Sequence, residues 1–125
     1  MRRRDQAAID ALSEHRRRED DAPRLQAEVP ELLTLRVKLE DIREEGRVVA
    51  ATYTRPIVVA SAPAYFEIRC MEPRCDGRHD LTRAIVAALK AGQPSFTGRN
   101  QCPGMVADQP CERTLAYTCE ATYRA

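Results

Sequence analysis

The sequence predicts an α+β fold: a small antiparallel sheet of about five strands, one helix and a clasp of four cysteines. Three observations carry this. Apolar residues alternate with period two near Leu33–Glu40 and again over Arg113–Tyr123, as half-buried strands require. Leu81, Ile85, Ala88 and Leu89 repeat at helical spacing. Two cysteine pairs lie in loops rich in turn residues, each following a strand pattern.

The N-terminal residues do not join this pattern. Residues 1–27 alternate charge in blocks, Arg2–Arg4, Arg16–Arg18 and Glu19–Asp21. Ala8, Ile9, Ala11 and Leu12 make only a narrow stripe, and a short isolated helix is marginal in water. Residues 1–27 are therefore expected to form a charged N-terminal helix or disordered tail, and 28–125 the α+β domain that carries the cysteines. Pro23 and Pro30 stop any helix between the two.

From Leu33 the strand order follows directly. Leu33, Leu35, Val37 and Leu39 point one way, and Thr34, Arg36, Lys38 and Glu40 the other. Glu44-Glu45-Gly46-Arg47 reads as a turn, and the β-branched run Val48–Val59 returns as a second strand. Pro56 removes a ladder donor, which suggests an edge or a bulge there. After a turn at Ser61-Ala62-Pro63 come a third strand over Tyr65–Cys70, a helix over Leu81–Ala91, and strands over Ser95–Gln101 and Arg113–Tyr123. Asp80 suits the start of the helix and Gly92 its end.

The chain has 125 residues, 43% apolar and 5% aromatic, with no Trp. A core short of large side chains gains from an added staple such as a metal. Twenty basic and 19 acidic side chains leave a net charge of +1. That balance offers no global field for nucleic acid or anionic membrane. The arginines are spread along the chain, as a compositional preference would spread them. Met1-Arg2-Arg3-Arg4 is followed by Asp5 and Gln6 rather than an apolar core, and no apolar run approaches a membrane span. The expected location is cytoplasmic, where cysteines serve as metal ligands more often than as disulfides. Five cysteines are also an odd count.

Cys70 and Cys75 bracket Met71-Glu72-Pro73-Arg74 and precede Asp76-Gly77; Cys102-Pro103-Gly104 leads to Cys111. Two short loops at strand ends can each supply two thiolates to one tetrahedral ion. Gly77 and Gly104 each stand two residues after a cysteine, where the backbone can curl to point an N–H at sulfur. Arg69, Arg74, Arg78, Arg99 and Arg113 lie close enough in sequence to offset the charge of four thiolates. This arrangement resembles the zinc-ribbon and zinc-knuckle group over residues 66–115, with wider cysteine spacing than the group's tight pairs. The resemblance implies a structural or binding module. The expected ligands are Cys70, Cys75, Cys102 and Cys111, holding a structural Zn2+, with iron and a Cys3His set through His79 left open. Cys119, alternating with Leu115, Tyr117 and Ala121, reads as a buried small apolar residue.

No catalytic residues are expected. Four thiolates close a coordination sphere, and no serine elbow or phosphate loop is present. His15 lies in the charged segment. Asp76 and Asp80 beside His79 read as loop-shaping and helix-capping residues rather than an acid–base cluster. The function expected is a non-enzymatic adaptor whose partner is another protein, met through the N-terminal segment or the strand edge at Thr52–Arg55. Two alternatives are a nucleic-acid-binding regulator that stacks bases on Tyr53, Tyr65, Tyr117 and Tyr123, and a thiol redox switch.

Overall fold

The computed structural model describes residues 3–43 and 48–124. The expected turn at 44–47 lies outside them. In chain order the elements are α1 (Arg3–Asp21), α2 (Leu25–Glu28), β1 (Leu32–Arg43), β2 (Val48–Ile57), β3 (Glu67–Arg69), β4 (Arg78–Asp80), α3 (Thr82–Lys90), β5 (Ser95–Gln101), β6 (Met105–Val106), β7 (Gln109–Pro110) and β8 (Thr114–Tyr123). The class is α+β. A four-stranded antiparallel sheet in the order β2-β1-β8-β5 forms its centre, beside two-stranded pairs β3-β4 and β6-β7.

Period-two alternation gives the sheet one apolar face. Leu35, Val37 and Leu39 of β1 share that face with Leu115, Tyr117, Cys119 and Ala121 of β8 and Phe96 of β5. Ile85 and Leu89 of α3 join them, with Phe66, Leu81, Leu25 and Val29 completing one core. Gly92 adopts φ +72°. That conformation lets its N–H donate to Leu89 O at 3.0 Å and the Gln93 N–H to Ala88 O at 3.2 Å, a pair of hydrogen bonds that stops α3. At the other end, Asp80 Oδ1 accepts the Thr82 N–H at 3.1 Å.

The β1 pattern departs from expectation at its start. Leu33 is 49% exposed and Leu32 is fully buried in its place. A register shift between Leu32 and Thr34 in the pairing with β8 turns the first residue inward. The segment expected as a third sheet strand also goes elsewhere. Only Glu67–Arg69 is extended, and it pairs with β4 rather than the central sheet. Its side chains divide between two centres: Phe66 enters the main core, and Cys70 enters the cysteine cluster. The central sheet therefore has four strands. β2 is an edge strand, one of the two places suggested by Pro56.

α1 is helical, and Ile9 and Leu12 on it are 44% and 55% exposed. Its last turns reach the body through His15 and Arg18. The segment after it is strapped down by Ala64 N–H to Pro23 O at 2.8 Å and Leu25 N–H to Ala62 O at 3.0 Å. Leu25, inside the segment expected to lie apart from the core, is fully buried. Among the described residues no helix is long and apolar enough to cross a membrane.

Candidate metal centre

Each cysteine loop is shaped by its own backbone. In the first, the Cys70 N–H donates to Gly77 O at 3.0 Å and the Cys75 N–H to Glu72 O at 2.9 Å. In the second, the Cys102 N–H donates to Arg113 O and the Cys111 N–H to Gly104 O, both at 2.9 Å. β6 and β7 form a miniature hairpin between Cys102 and Cys111, turning through Ala107 and Asp108 at φ 48° and 64°. That hairpin explains the wide spacing of the second pair: it carries the chain out and returns Cys111 beside Cys102.

The two loops face each other with matching Cys-x-Gly turns. The Gly77 N–H points at Cys75 Sγ at 3.3 Å and the Gly104 N–H at Cys102 Sγ at 3.4 Å, as the sequence suggested. Neither glycine tolerates a side chain. A Cβ on Gly77 would lie 2.6 Å from Cys102 Sγ, and one on Gly104 would lie 2.9 Å from Gly77 Cα. The loops are thus nested, each glycine against the other loop's sulfur.

Cys70, Cys75, Cys102 and Cys111 converge, with all four sulfurs within 4.8 Å of one another. Cys70 Sγ is 3.7 Å from Cys111 Sγ, and Cys75 Sγ is 3.6 Å from Cys102 Sγ. A disulfide would need about 2.05 Å, and all five cysteines are free. A tetrahedron with metal–sulfur bonds of about 2.3 Å has edges of roughly 3.8 Å. The observed spacings match that edge. All four residues are buried, at 2–5% exposure. This donor set can hold one metal ion.

Burial sets the thiol chemistry. It raises the Cys70 thiol above its ordinary range and pushes Cys102 up to about 11. At Cys75, burial acts upward too, but the Gly77 N–H and the neighbouring thiols outweigh it and the net direction is down. A bound cation would offset the cost of burial, because metal coordination deprotonates a thiol outright.

Of the five arginines expected to offset the cluster, three are engaged by carboxylates. Arg113 is buried against Asp41 and lies 3.6 Å from Glu72; Arg74 pairs with Glu72 at 3.3 Å, and Arg78 with Glu67 at 3.1 Å. Arg69 and Arg99 are exposed. The carboxylates Asp41, Glu67 and Glu72 were not singled out from sequence. Asp41 carried a signal nonetheless, since it continues the inward series of Leu35, Val37 and Leu39. His79 is 2% exposed, and its Nδ1 lies 2.8 Å from Asn100 Oδ1, outside the sulfur group. Cys119 lies in the main core rather than with the other four, fully buried. No protein-family model, no curated protein and no solved structure matches this chain.

Proposed function

We propose that this chain is a non-enzymatic zinc protein in which one Zn2+, held by Cys70, Cys75, Cys102 and Cys111, locks the two loops together so that the domain can bind another protein. The sulfur geometry carries the reading: two cross-loop contacts of 3.7 and 3.6 Å, all four residues buried. A closed four-thiolate sphere is the pattern of structural zinc, whereas catalytic zinc keeps an open position for water or substrate.

A protein partner is supported by what lies outside the core. Ile9 and Leu12 stand exposed on α1, and β2 leaves one edge of the sheet unpaired. Three of the four tyrosines a nucleic-acid reading would use turn toward the core. Tyr117 is buried, and Tyr53 and Tyr123 pack against the core.

Elemental analysis tests the metal: about one zinc per chain is expected from a single tetrahedral site. Cys70→Ser, Cys75→Ser, Cys102→Ser and Cys111→Ser should each lose metal, and His79→Ala should retain it. Iron with visible absorbance, or a metal-free chain of ordinary thermal stability, overturns the zinc reading. The partner is tested by pull-down across a salt series. Capture that survives nuclease treatment and is lost in Ile9→Glu/Leu12→Glu supports the protein-binding role. Submicromolar gel-shift affinity for generic DNA or RNA at about 150 mM salt sinks it.

A further inference from the structure

α1 runs for 19 residues, about 28 Å of helix at a rise of 1.5 Å per residue. Its contacts with the body lie toward its C-terminal end, where His15 packs on Tyr65 and Arg18 reaches Glu67. Residues 9–13 are all exposed. The side chains divide by face. Glu14, His15 and Arg18 are half-buried on the body side, while Ile9, Leu12 and Arg16, on the opposite side of the helix, stand in solvent. A helix of this length is marginal in water by itself, so a partner along the outer face would account for its persistence.

That outer face has a pattern. Asp5, Ile9, Leu12 and Arg16 recur at spacings of four, three and four, the a and d positions of a coiled-coil seam. The stripe is also complementary to its own reverse. Ile9 and Leu12 stand at equal distances from the midpoint between Asp10 and Ala11, and so do the acid Asp5 and the base Arg16. A two-fold axis places residue i on j and j on i. An antiparallel second copy therefore sets Ile9 on Leu12 and Asp5 on Arg16, each pair twice. A parallel copy sets acid on acid and base on base, which like charge opposes.

The neighbouring charges leave this match undisturbed. Arg17 and Arg18 are held within the helix by Glu14, at 2.6 and 3.3 Å. The body sits at the C-terminal end of α1 and on its other face, so the body of an antiparallel partner falls at the opposite end of the seam and the two do not compete for space.

We propose that α1 pairs antiparallel with α1 of a second copy of this chain, with Ile9 packed on Leu12 at the two-fold axis and Asp5 facing Arg16 toward either end of the seam. Such a pairing rests on the protein-binding reading above and names the partner for the α1 face. Four apolar side chains make a small seam, so the dimer is weak and its population follows concentration.

Sedimentation equilibrium of the full chain tests this, under reducing conditions that exclude a disulfide-linked dimer. A monomer–dimer equilibrium is expected, with dimer populated at about 100 µM chain. Ile9→Glu/Leu12→Glu should be monomeric. Asp5→Arg brings like charges together at both ends of the seam and should weaken the dimer about tenfold. Asp5→Arg/Arg16→Asp, which restores opposite charges with their places exchanged, should recover it. A chain monomeric at that concentration overturns the proposal. So does a dimer that survives Ile9→Glu/Leu12→Glu, one indifferent to Asp5→Arg, or a charge-exchanged variant no better than Asp5→Arg. A monomer that still captures a different protein through Ile9 and Leu12 sinks the pairing and leaves the protein-binding reading intact. A dimer with the expected variant responses that captures no other protein supports the pairing and sinks the adaptor role.

Discussion

Arg113 joins the sheet to the cysteine clasp. Its carbonyl takes the Cys102 N–H, while its side chain is buried against Asp41 and reaches Glu72 in the first loop. Removing one partner of a buried pair strands the other charge, which costs about 3–5 kcal/mol, whereas replacing both by apolar groups is often neutral. Arg113→Met should therefore lower stability by about 3–5 kcal/mol in urea denaturation, and Asp41→Leu/Arg113→Met should recover most of the loss. Cys119 makes a prediction about pH. Burial pushes its thiol up to about 12, above the ordinary value near 8.5. Below that ordinary value the folded and unfolded chains both keep the proton, and its contribution to stability is intact. As pH rises the unfolded chain releases the proton first, so stability is lost over the window up to about 12. Cys119→Ala lacks this slope. The stability difference between wild type and Cys119→Ala should narrow by about 2 kcal/mol between pH 8 and 10, measured by denaturation at each pH.

At the scale of elements, the N-terminal segment divides in two. α1 touches the body through polar contacts: His15 packs on Tyr65 with ring centroids 5.4 Å apart, and Arg18 reaches Glu67. The stretch after it contributes Leu25 and Val29 to the core and Pro23 to a backbone bond. Deleting residues 1–22 should leave cooperative unfolding and metal content unchanged, with a modestly lower midpoint. Extending the deletion through residue 27 should cost a further 2–5 kcal/mol, roughly the loss of one buried leucine. Thermal scans of the two truncated chains check this. An equal midpoint for both would mean that Leu25 contributes nothing to the core.

At the scale of the molecule, the buried apolar residues cluster in two centres. Among the described residues, seventeen lie around the sheet, and the four clasp cysteines form a separate cluster with Val106 packed against it. The sheet has its own core, so metal loss acts first on the loops. Metal binding energy is folding energy for the segment that binds, and segments open independently when few contacts cross between them. Chelation should lower the thermal midpoint and remove hydrogen-exchange protection at Gly77, Gly104 and Cys111. Val37 and Cys119, in the sheet, should keep theirs. Simultaneous loss of protection in both sets would show that the two centres unfold as one.

Much of this architecture was legible in sequence because its causes are local. Period-two alternation placed β1 and β8, helical spacing with Gly92 placed α3, and the β-branched run with Pro56 placed β2 as a strand with an edge or a bulge. The Cys-x-Gly turns foretold the N–H groups directed at sulfur, since a turn two residues long is set by its own backbone. Contacts between distant residues were not legible. Leu32 replaces Leu33 in the core because β8 pairs with β1 through a register shift. Asp41 and Arg113 meet across 72 residues of chain. Arg78 and Arg113 turned to Glu67 and Asp41, which sequence distance gave no reason to expect. By itself the sequence determined the long strands β1 and β8, the helix α3, the Cys-x-Gly turns and the set of thiols, because each depends on near neighbours and on periodicity. Tertiary structure alone decided which strands pair and which charges are buried together, because those follow from packing between segments far apart in the chain.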